Sequence, residues 1–149
     1  MIIRTAQKED SLDILNWRND YKSYTMSLSN KKVGIKEHEE WFSNSLNDPN
    51  KKIFIGLIEN VKIGVCRFDY YKDQNFSEVS INLNPAVRGR RYSYKFLSDS
   101  IKIYKKINSS ILRASINKEN IASIKIFEKC NFVKVSNDKK FLFYSQEIR

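Results

Sequence analysis

The chain has 149 residues, 27 lysines and arginines against 17 acidic residues, and a net charge of +10. The length suits one domain over 1–149 with a core that needs no disulfide scaffold, while 41% hydrophobic residues exclude a disordered chain and four glycines with two prolines exclude collagen-like and linker-rich classes. No apolar run reaches the ~20 residues of a membrane span, the N-terminus lacks a signal-peptide pattern, and Cys66 and Cys130 lack metal-ligand spacing, so the expectation is a cytoplasmic protein with reduced thiols, no metal and no membrane partner.

Ile2-Ile3-Arg4-Thr5 reads as a first strand, residues 11–20 as a helix carrying Leu12, Leu15 and Trp17, and residues 21–34 as a loop without period. Residues 35–46 read as a helix because His38, Trp41, Phe42, Ser45 and Leu46 recur at helical spacing, and Asp48-Pro49-Asn50 stops it. Residues 52–58 and 61–70 form a hairpin around Glu59-Asn60, and residues 72–76 a turn. In the strand over 78–83, Val79, Ile81 and Leu83 take one face and Glu78, Ser80 and Asn82 the other. Residues 90–106 read as a long helix striped by Phe96, Leu97, Ile101 and Tyr104, followed by a strand at 111–116, a helix at 119–129 and a closing hairpin of 132–135 with 141–144. This order predicts one α/β (α+β) domain.

The lysine pairs at 31–32, 51–52 and 139–140 read as solvated loop charge. Arg88-Gly89-Arg90-Arg91 differs, because it follows Pro85 and opens the long helix. Side-chain charge, free backbone N–H groups and the helix dipole converge there, a combination that suits a phosphate. A nucleotide cofactor or a nucleic acid could own that phosphate.

Two segments resemble the GNAT (Gcn5-related) N-acetyltransferase superfamily. Residues 81–93, Ile-Asn-Leu-Asn-Pro-Ala-Val-Arg-Gly-Arg-Arg-Tyr-Ser, are similar to the family's strand, proline and pyrophosphate loop Q/R-x-x-G-x-G/A. Residues 120–132, Asn-Ile-Ala-Ser-Ile-Lys-Ile-Phe-Glu-Lys-Cys-Asn-Phe, are similar to its N-x-x-A/S-x-x-x-Y/F-E-K-x-G-F signature. The resemblance covers nearly the whole chain. It implies a GNAT fold: a mixed central sheet of six to seven strands, helices on both faces, and a cleft where strands four and five splay. It implies acetyl-CoA as co-substrate, no metal, no nucleic acid, and direct attack of a primary amine on the thioester in a ternary complex; it leaves a homodimer open. By the same resemblance Arg88, Gly89, Arg90, Arg91, Tyr92 and Ser93 cradle the pyrophosphate. The pantetheine arm follows the strand at Leu83, whose N–H is the oxyanion donor. Asn120, Ser123, Phe127 and Lys129 lie along the cofactor. The chain departs from the pattern in three places: Arg91 and Ser93 stand where the family has glycine, and Phe127 stands where it often has a tyrosine acid.

The N-terminal half carries a second series: Trp17-Arg18-Asn19-Asp20, Met26, His38-Glu39-Glu40-Trp41-Phe42 and Ile63-Gly64-Val65-Cys66-Arg67-Phe68-Asp69. It is similar to the GNAT branch that acetylates nucleotide-linked 4-amino sugars in pseudaminic- and legionaminic-type pathways. That resemblance implies a UDP-amino sugar acceptor, with Arg18, Asn19, His38 and Arg67 at its site. Protein N-terminal, ribosomal-protein or small-amine acetylation is the alternative, as is a non-catalytic module that binds CoA or nucleic acid. Glu78, on the polar face beside the expected acetyl position, suits a general base for an amine that must lose its proton; its alternative is a strand-edge carboxylate in an ion pair. His38 competes with a buried hydrogen-bonded histidine, Arg67 with an exposed charge, and Asn120 with a plain helix-start residue. Tyr92 and Tyr94 could replace the missing acid by their place in the sequence, with core packing or solvent exposure as the alternative for each.

Overall fold

Alternating side chains build the sheet of a computed structural model that describes residues 1–146; positions 147–149 of the expected domain lie outside the described residues. β1 (Ile2–Thr5), β2 (Lys51–Ile58), β3 (Val61–Tyr71) and β4 (Phe76–Leu83) are successive antiparallel neighbours. β4 pairs in parallel with β5 (Ile111–Asn117), β5 pairs with β7 (Phe141–Gln146), and β6 (Val133–Asn137) closes that edge, giving the order β1-β2-β3-β4-β5-β7-β6. Five α-helices accompany these strands: α1 (Ser11–Arg18), α2 (Tyr21–Met26), α3 (Ile35–Leu46), α4 (Ser93–Lys105) and α5 (Ile121–Lys129).

Period-two alternation sends neighbouring strand residues to opposite faces. Ile53, Ile55 and Val65 pack with Ile14, Trp17 and Phe42 from α1 and α3. Phe54, Cys66, Phe68 and Val79 pack with Phe96, Leu97, Ile101 and Tyr104 from α4 and Phe127 from α5. The helices therefore cover both faces, and the fold is the mixed α/β arrangement expected. Cys66 and Cys130 are buried free thiols, pushed up by burial to about 12 and about 11, so both stay protonated near neutral pH.

Three differences from the sequence reading bear on the site, while elsewhere element ends shift by one or two residues. Residues 21–26 are helical rather than loop; α2 buries none of its side chains, so it leaves no hydrophobic period. α4 starts at Ser93 rather than Arg90, because Gly89 and Arg91 take positive φ of 79° and 63°, which no right-handed helix accepts. β4 starts at Phe76, which stacks on Tyr71 and pairs with Ile111.

The parallel β4–β5 ladder runs only from Phe76↔Ile111 to Glu78↔Arg113, although β4 continues to Leu83 and β5 to Asn117. The two strands splay beyond Glu78. The N–H of Asn84 donates to Ile63 O at 2.9 Å, toward β3. Alternation then turns the N–H groups of Leu83 and Ile81 to the side that β5 has left. Beneath the point of divergence Ser77 Oγ lies 2.7 Å from both Tyr104 Oη and Ser110 Oγ, a buried network that ties β4 to α4 just before the opening. Gly64 sits opposite Leu83. A Cβ there would come 2.7 Å from Asn82 O and 3.1 Å from Leu83 Cα, so glycine allows β3 to lie close behind the open strand.

Candidate active site

Glu78 occupies the mouth of the splay. Its Oε1 accepts from Ser115 Oγ of β5 at 3.1 Å, across the last rung of the ladder. Burial pushes its carboxyl above the usual carboxylate range, opposed by that hydrogen bond, while Asp69 raises it and Arg67 lowers it further. A carboxyl displaced toward neutral pH is better matched to accepting a proton there. Among the described residues Glu78 is held in no ion pair.

Leu83 presents its N–H to the open side, and the basic turn of residues 88–92 follows it. Asn84 Oδ1 accepts from Ala86 N at 3.0 Å and its Nδ2 donates to Lys62 O at 2.9 Å, so the strand exit is fixed to β3. Residues 88–92 then turn through the two positive φ values before α4 begins. The first N–H groups of that helix, at Ser93, Tyr94 and Lys95, have no partner within it, and alternating backbone handedness of this kind forms an anion-binding concavity. Arg90 and Arg91 are exposed beside it. The loop therefore keeps the left-handed geometry that glycine would supply, with arginine in its place. A left-handed non-glycine residue costs about 1–2 kcal/mol, and glycine returns about 0.4–1 kcal/mol of that through unfolded-chain entropy. Arg91→Gly should accordingly raise stability by roughly 0.5 kcal/mol, read as a small upward shift of the urea midpoint.

The remaining residues expected along the cofactor divide. Asn120 Oδ1 caps α5 by accepting from Ser123 N at 3.2 Å, which leaves its Nδ2 hydrogens uncommitted. Phe127 is buried edge-on against Phe132 and carries no proton to give. The Lys129 ammonium lies 4.2 Å from the Tyr94 ring centre. The guanidinium of Arg88 turns away from the loop, to Asp20 at 2.6 Å and Ser23 Oγ at 3.1 Å.

On the polar face of β4 the acceptor candidates also divide. Asp69 stands opposite Glu78 and Arg67 opposite Ser80, on one face of the β3–β4 pair. The Arg67 guanidinium carbon is 5.0 Å, and that of Arg18 5.4 Å, from the ring centre of Trp41 in α3. Arg67 Nε lies 3.2 Å from Asp69 Oδ2 but makes no hydrogen bond, and Asp69 Oδ1 is buried without a partner. Arg18 has no ion-pair partner among the described residues; burial and the like charge of Arg67 both lower its pKa. Two cations share one aromatic ring, Arg67 with Asp69 as its ion-pair partner and Arg18 with none among the described residues, an arrangement chemically suited to an anion. The sequence reading has Trp41 and Asp20 in the N-terminal series without naming them as site residues, and gives Ser23 and Ser115 no role.

Asn19 and His38 serve the fold instead. Asn19 Nδ2 donates to Val33 O and its Oδ1 accepts from Val33 N, both at 2.8 Å, which closes the base of the segment between α1 and α3. His38 is fully buried, stacked on Phe42, with Nε2 2.9 Å from Ser11 O. Burial lowers its pKa, so it is neutral at pH 7 and offers the cleft no charge.

A sheet opened beside β4, a basic concave turn at a helix start and a half-buried carboxyl between them define an acyl-transfer site of the acetyltransferase kind. Residues 1–133 match the family described as Acetyltransferase (GNAT) domain. The chain belongs to the GNAT acetyltransferase family and is an N-acetyltransferase. Among curated proteins it is 25% identical over 141 residues to acetyltransferase PseH of Campylobacter jejuni, covering 87% of this chain and 81% of that one. Among solved structures it superposes on a ribosomal-protein-alanine N-acetyltransferase from Brucella melitensis with a TM-score of 0.82 at 19% identity, over 99% of this chain and 100% of that one. It also superposes on spermidine N-acetyltransferase from Vibrio cholerae in complex with CoA and spermine, with a TM-score of 0.83 at 15% identity, over 97% and 92%. At these identities the structural matches speak for the fold. The family uses acetyl-CoA, and the free edge of β4 together with the N–H concavity over residues 89–95 fits that co-substrate.

Proposed function

We propose that this enzyme acetylates the primary amine of a nucleotide-linked amino sugar, taking the acetyl group from acetyl-CoA. The observation that carries the reading is the Arg18–Trp41–Arg67 cluster on the same sheet face as Glu78. Arg67 and Glu78 are diagonal neighbours across β3 and β4, a separation of roughly 7–8 Å between backbones. That distance spans a pyranose ring whose amine meets Glu78 while the diphosphate on the far side meets the arginines. A polyamine acceptor would instead bring positive charge against two half-buried cations. The likeness to PseH supports the same acceptor class.

In this reading acetyl-CoA supplies an acetyl thioester beside β4. The N–H groups of Ser93, Tyr94 and Lys95, with the Arg90 and Arg91 side chains, hold its phosphates, and Asn120, Ser123 and Lys129 line the arm. The Leu83 N–H faces the carbonyl oxygen and stabilises the charge that develops there. Glu78 takes the proton of the attacking amine, directly or through one water. Phe127 offers no proton to the leaving thiolate, so that proton comes from water.

The test is an acceptor panel with thiol release as readout: a UDP-linked 4-amino sugar, spermidine and an alanine-ended peptide. Turnover is expected with the sugar. Losing one charge-assisted contact of about 1.5–3 kcal/mol, Arg18→Ala and Arg67→Ala should each raise its KM about 10–100-fold and leave the KM of acetyl-CoA unchanged. Turnover with the peptide or spermidine and none with the sugar would overturn the assignment.

A further inference from the structure

The stretch from Asp20 to Lys32 has few means of holding its place. Its one helix, α2, buries no side chain. Its base is closed by the paired hydrogen bonds of Asn19 to Val33. Its N-terminal turn, next to that base, is joined to the rest of the protein by a polar chain: Arg88 Nη2 donates to Asp20 Oδ2 at 2.6 Å and to Ser23 Oγ at 3.1 Å, and Ser23 Oγ donates to Asn82 Oδ1 at 2.8 Å. Asn82 precedes Leu83, and Arg88 opens the phosphate loop. The segment between them is held to β3 through Asn84. α2 is thereby fixed to both ends of the stretch that carries the oxyanion donor, on the sheet face that carries Glu78 and Arg67.

We infer that Asp20 and Ser23 are positioning residues: acting through Arg88 and Asn82 they set α2 as the wall of the acceptor cleft, and Arg88 serves the acceptor side and not the cofactor phosphates. The inference rests on the acetyltransfer reading of the cleft, though not on the amino-sugar assignment. Its physical basis is competition for one guanidinium. Turning Arg88 toward a phosphate would break both of its hydrogen bonds and leave the Asp20 carboxylate, itself about three-quarters buried, without its counter-ion. Arg90 and Arg91 already stand exposed on the loop, with no ion-pair partner among the described residues. Because α2 contributes nothing to the core, releasing it should move the cleft wall without loosening the fold.

The experiment uses the full chain and three single variants, Asp20→Asn, Ser23→Ala and Arg88→Ala. Acetyl-CoA affinity is measured by calorimetry without acceptor, Tm by thermal unfolding, and backbone exchange of residues 21–26 by deuterium uptake. KM is measured for whichever amine the panel shows to be acetylated. The expected result is faster exchange at 21–26, a Tm close to that of the parent, acetyl-CoA affinity within about twofold, and a KM for the amine raised about tenfold, the value of one charged hydrogen bond. The Asp20→Asn/Arg88→Ala double variant should be no worse than Arg88→Ala alone, since Arg88→Ala already removes the contact that Asp20→Asn weakens. Acetyl-CoA affinity falling tenfold in Arg88→Ala, or rising in Asp20→Asn as the freed guanidinium reaches the phosphates, would overturn the inference; so would unchanged exchange and unchanged KM in Ser23→Ala. Acetylation of a peptide or polyamine in the panel would sink the sugar assignment and leave this test intact.

Discussion

Glu78→Gln is expected to lower kcat about 10²–10⁴-fold at neutral pH, the usual contribution of a positioned general base, with acetyl-CoA affinity and Tm unchanged. The amide keeps the shape of the side chain and can still meet Ser115, so packing at the mouth of the splay survives while the proton acceptor is lost. The pH profile separates this role from a structural one. A base works in its ionised form, so activity falls as the medium becomes acidic through the Glu78 pKa, and burial sets that limb above the ordinary carboxylate range. In Glu78→Gln the limb should vanish. Ser115→Ala supplies a signed control. The Ser115 hydroxyl donates to the Glu78 carboxylate and favours its charged form, so its removal should move the acid limb to higher pH while leaving activity at alkaline pH nearly intact. A Glu78→Gln profile that overlays the parent at every pH would remove Glu78 as the base.

The parts of the fold with a repeating pattern were legible in the sequence. β4 shows its two faces through Val79, Ile81 and Leu83 against Glu78, Ser80 and Asn82, and α4 shows its stripe through Phe96, Leu97, Ile101 and Tyr104, all four buried. α2 was not legible, because a helix held by a polar clasp needs no apolar stripe. The start of α4 was misplaced because Arg91 gives no sign of its left-handed backbone; glycine in that place would have signalled the turn. In the candidate site, position along the chain singled out Glu78, Leu83 and the basic loop, which the fold sets along β4 and its exit. It could not show where long side chains go. Arg88 belongs to the loop by sequence and to α2 by contact, and Arg18 and Arg67, distant in sequence, meet over Trp41 only after folding. His38 and Asn19 illustrate the converse: polar residues in a suggestive series that the fold uses for its own hydrogen bonds.

Asp10→Asn should produce the largest loss of stability of any single change considered. Asp10 is 1% exposed and accepts four close contacts: Arg4 at 2.7 and 2.9 Å, the Gln7 N–H at 2.7 Å, and the Lys62 ammonium at 2.7 Å. Removing one partner of a buried ion pair costs about 3–5 kcal/mol because the other charge is left desolvated. Here Arg4 and Lys62 are partly exposed and Lys62 keeps Asp13 at 2.8 Å, which puts the cost near the lower end, about 3 kcal/mol. For a chain of this length that corresponds to a Tm lowered by about 6–12 °C. The pH dependence has a definite sign. The hydrogen bonds from Arg4 and Lys62 outweigh burial and hold the Asp10 carboxyl far below the usual carboxylate range. The unfolded chain therefore binds a proton that the folded chain refuses, and the contribution of Asp10 is complete above an unfolded pKa of about 3.9 and lost as pH falls below it. Urea midpoints of the parent and of Asp10→Asn should stand well apart at pH 7 and begin to approach one another below about pH 4, closing fully only as pH falls through the depressed folded pKa. The effect reaches the active site through β3, since the Lys62 carbonyl accepts from Asn84 next to Leu83. A midpoint at pH 7 equal to that of the parent would mean that the desolvation of Asp10 cancels its pairing, and that the strand behind Leu83 is held by packing alone.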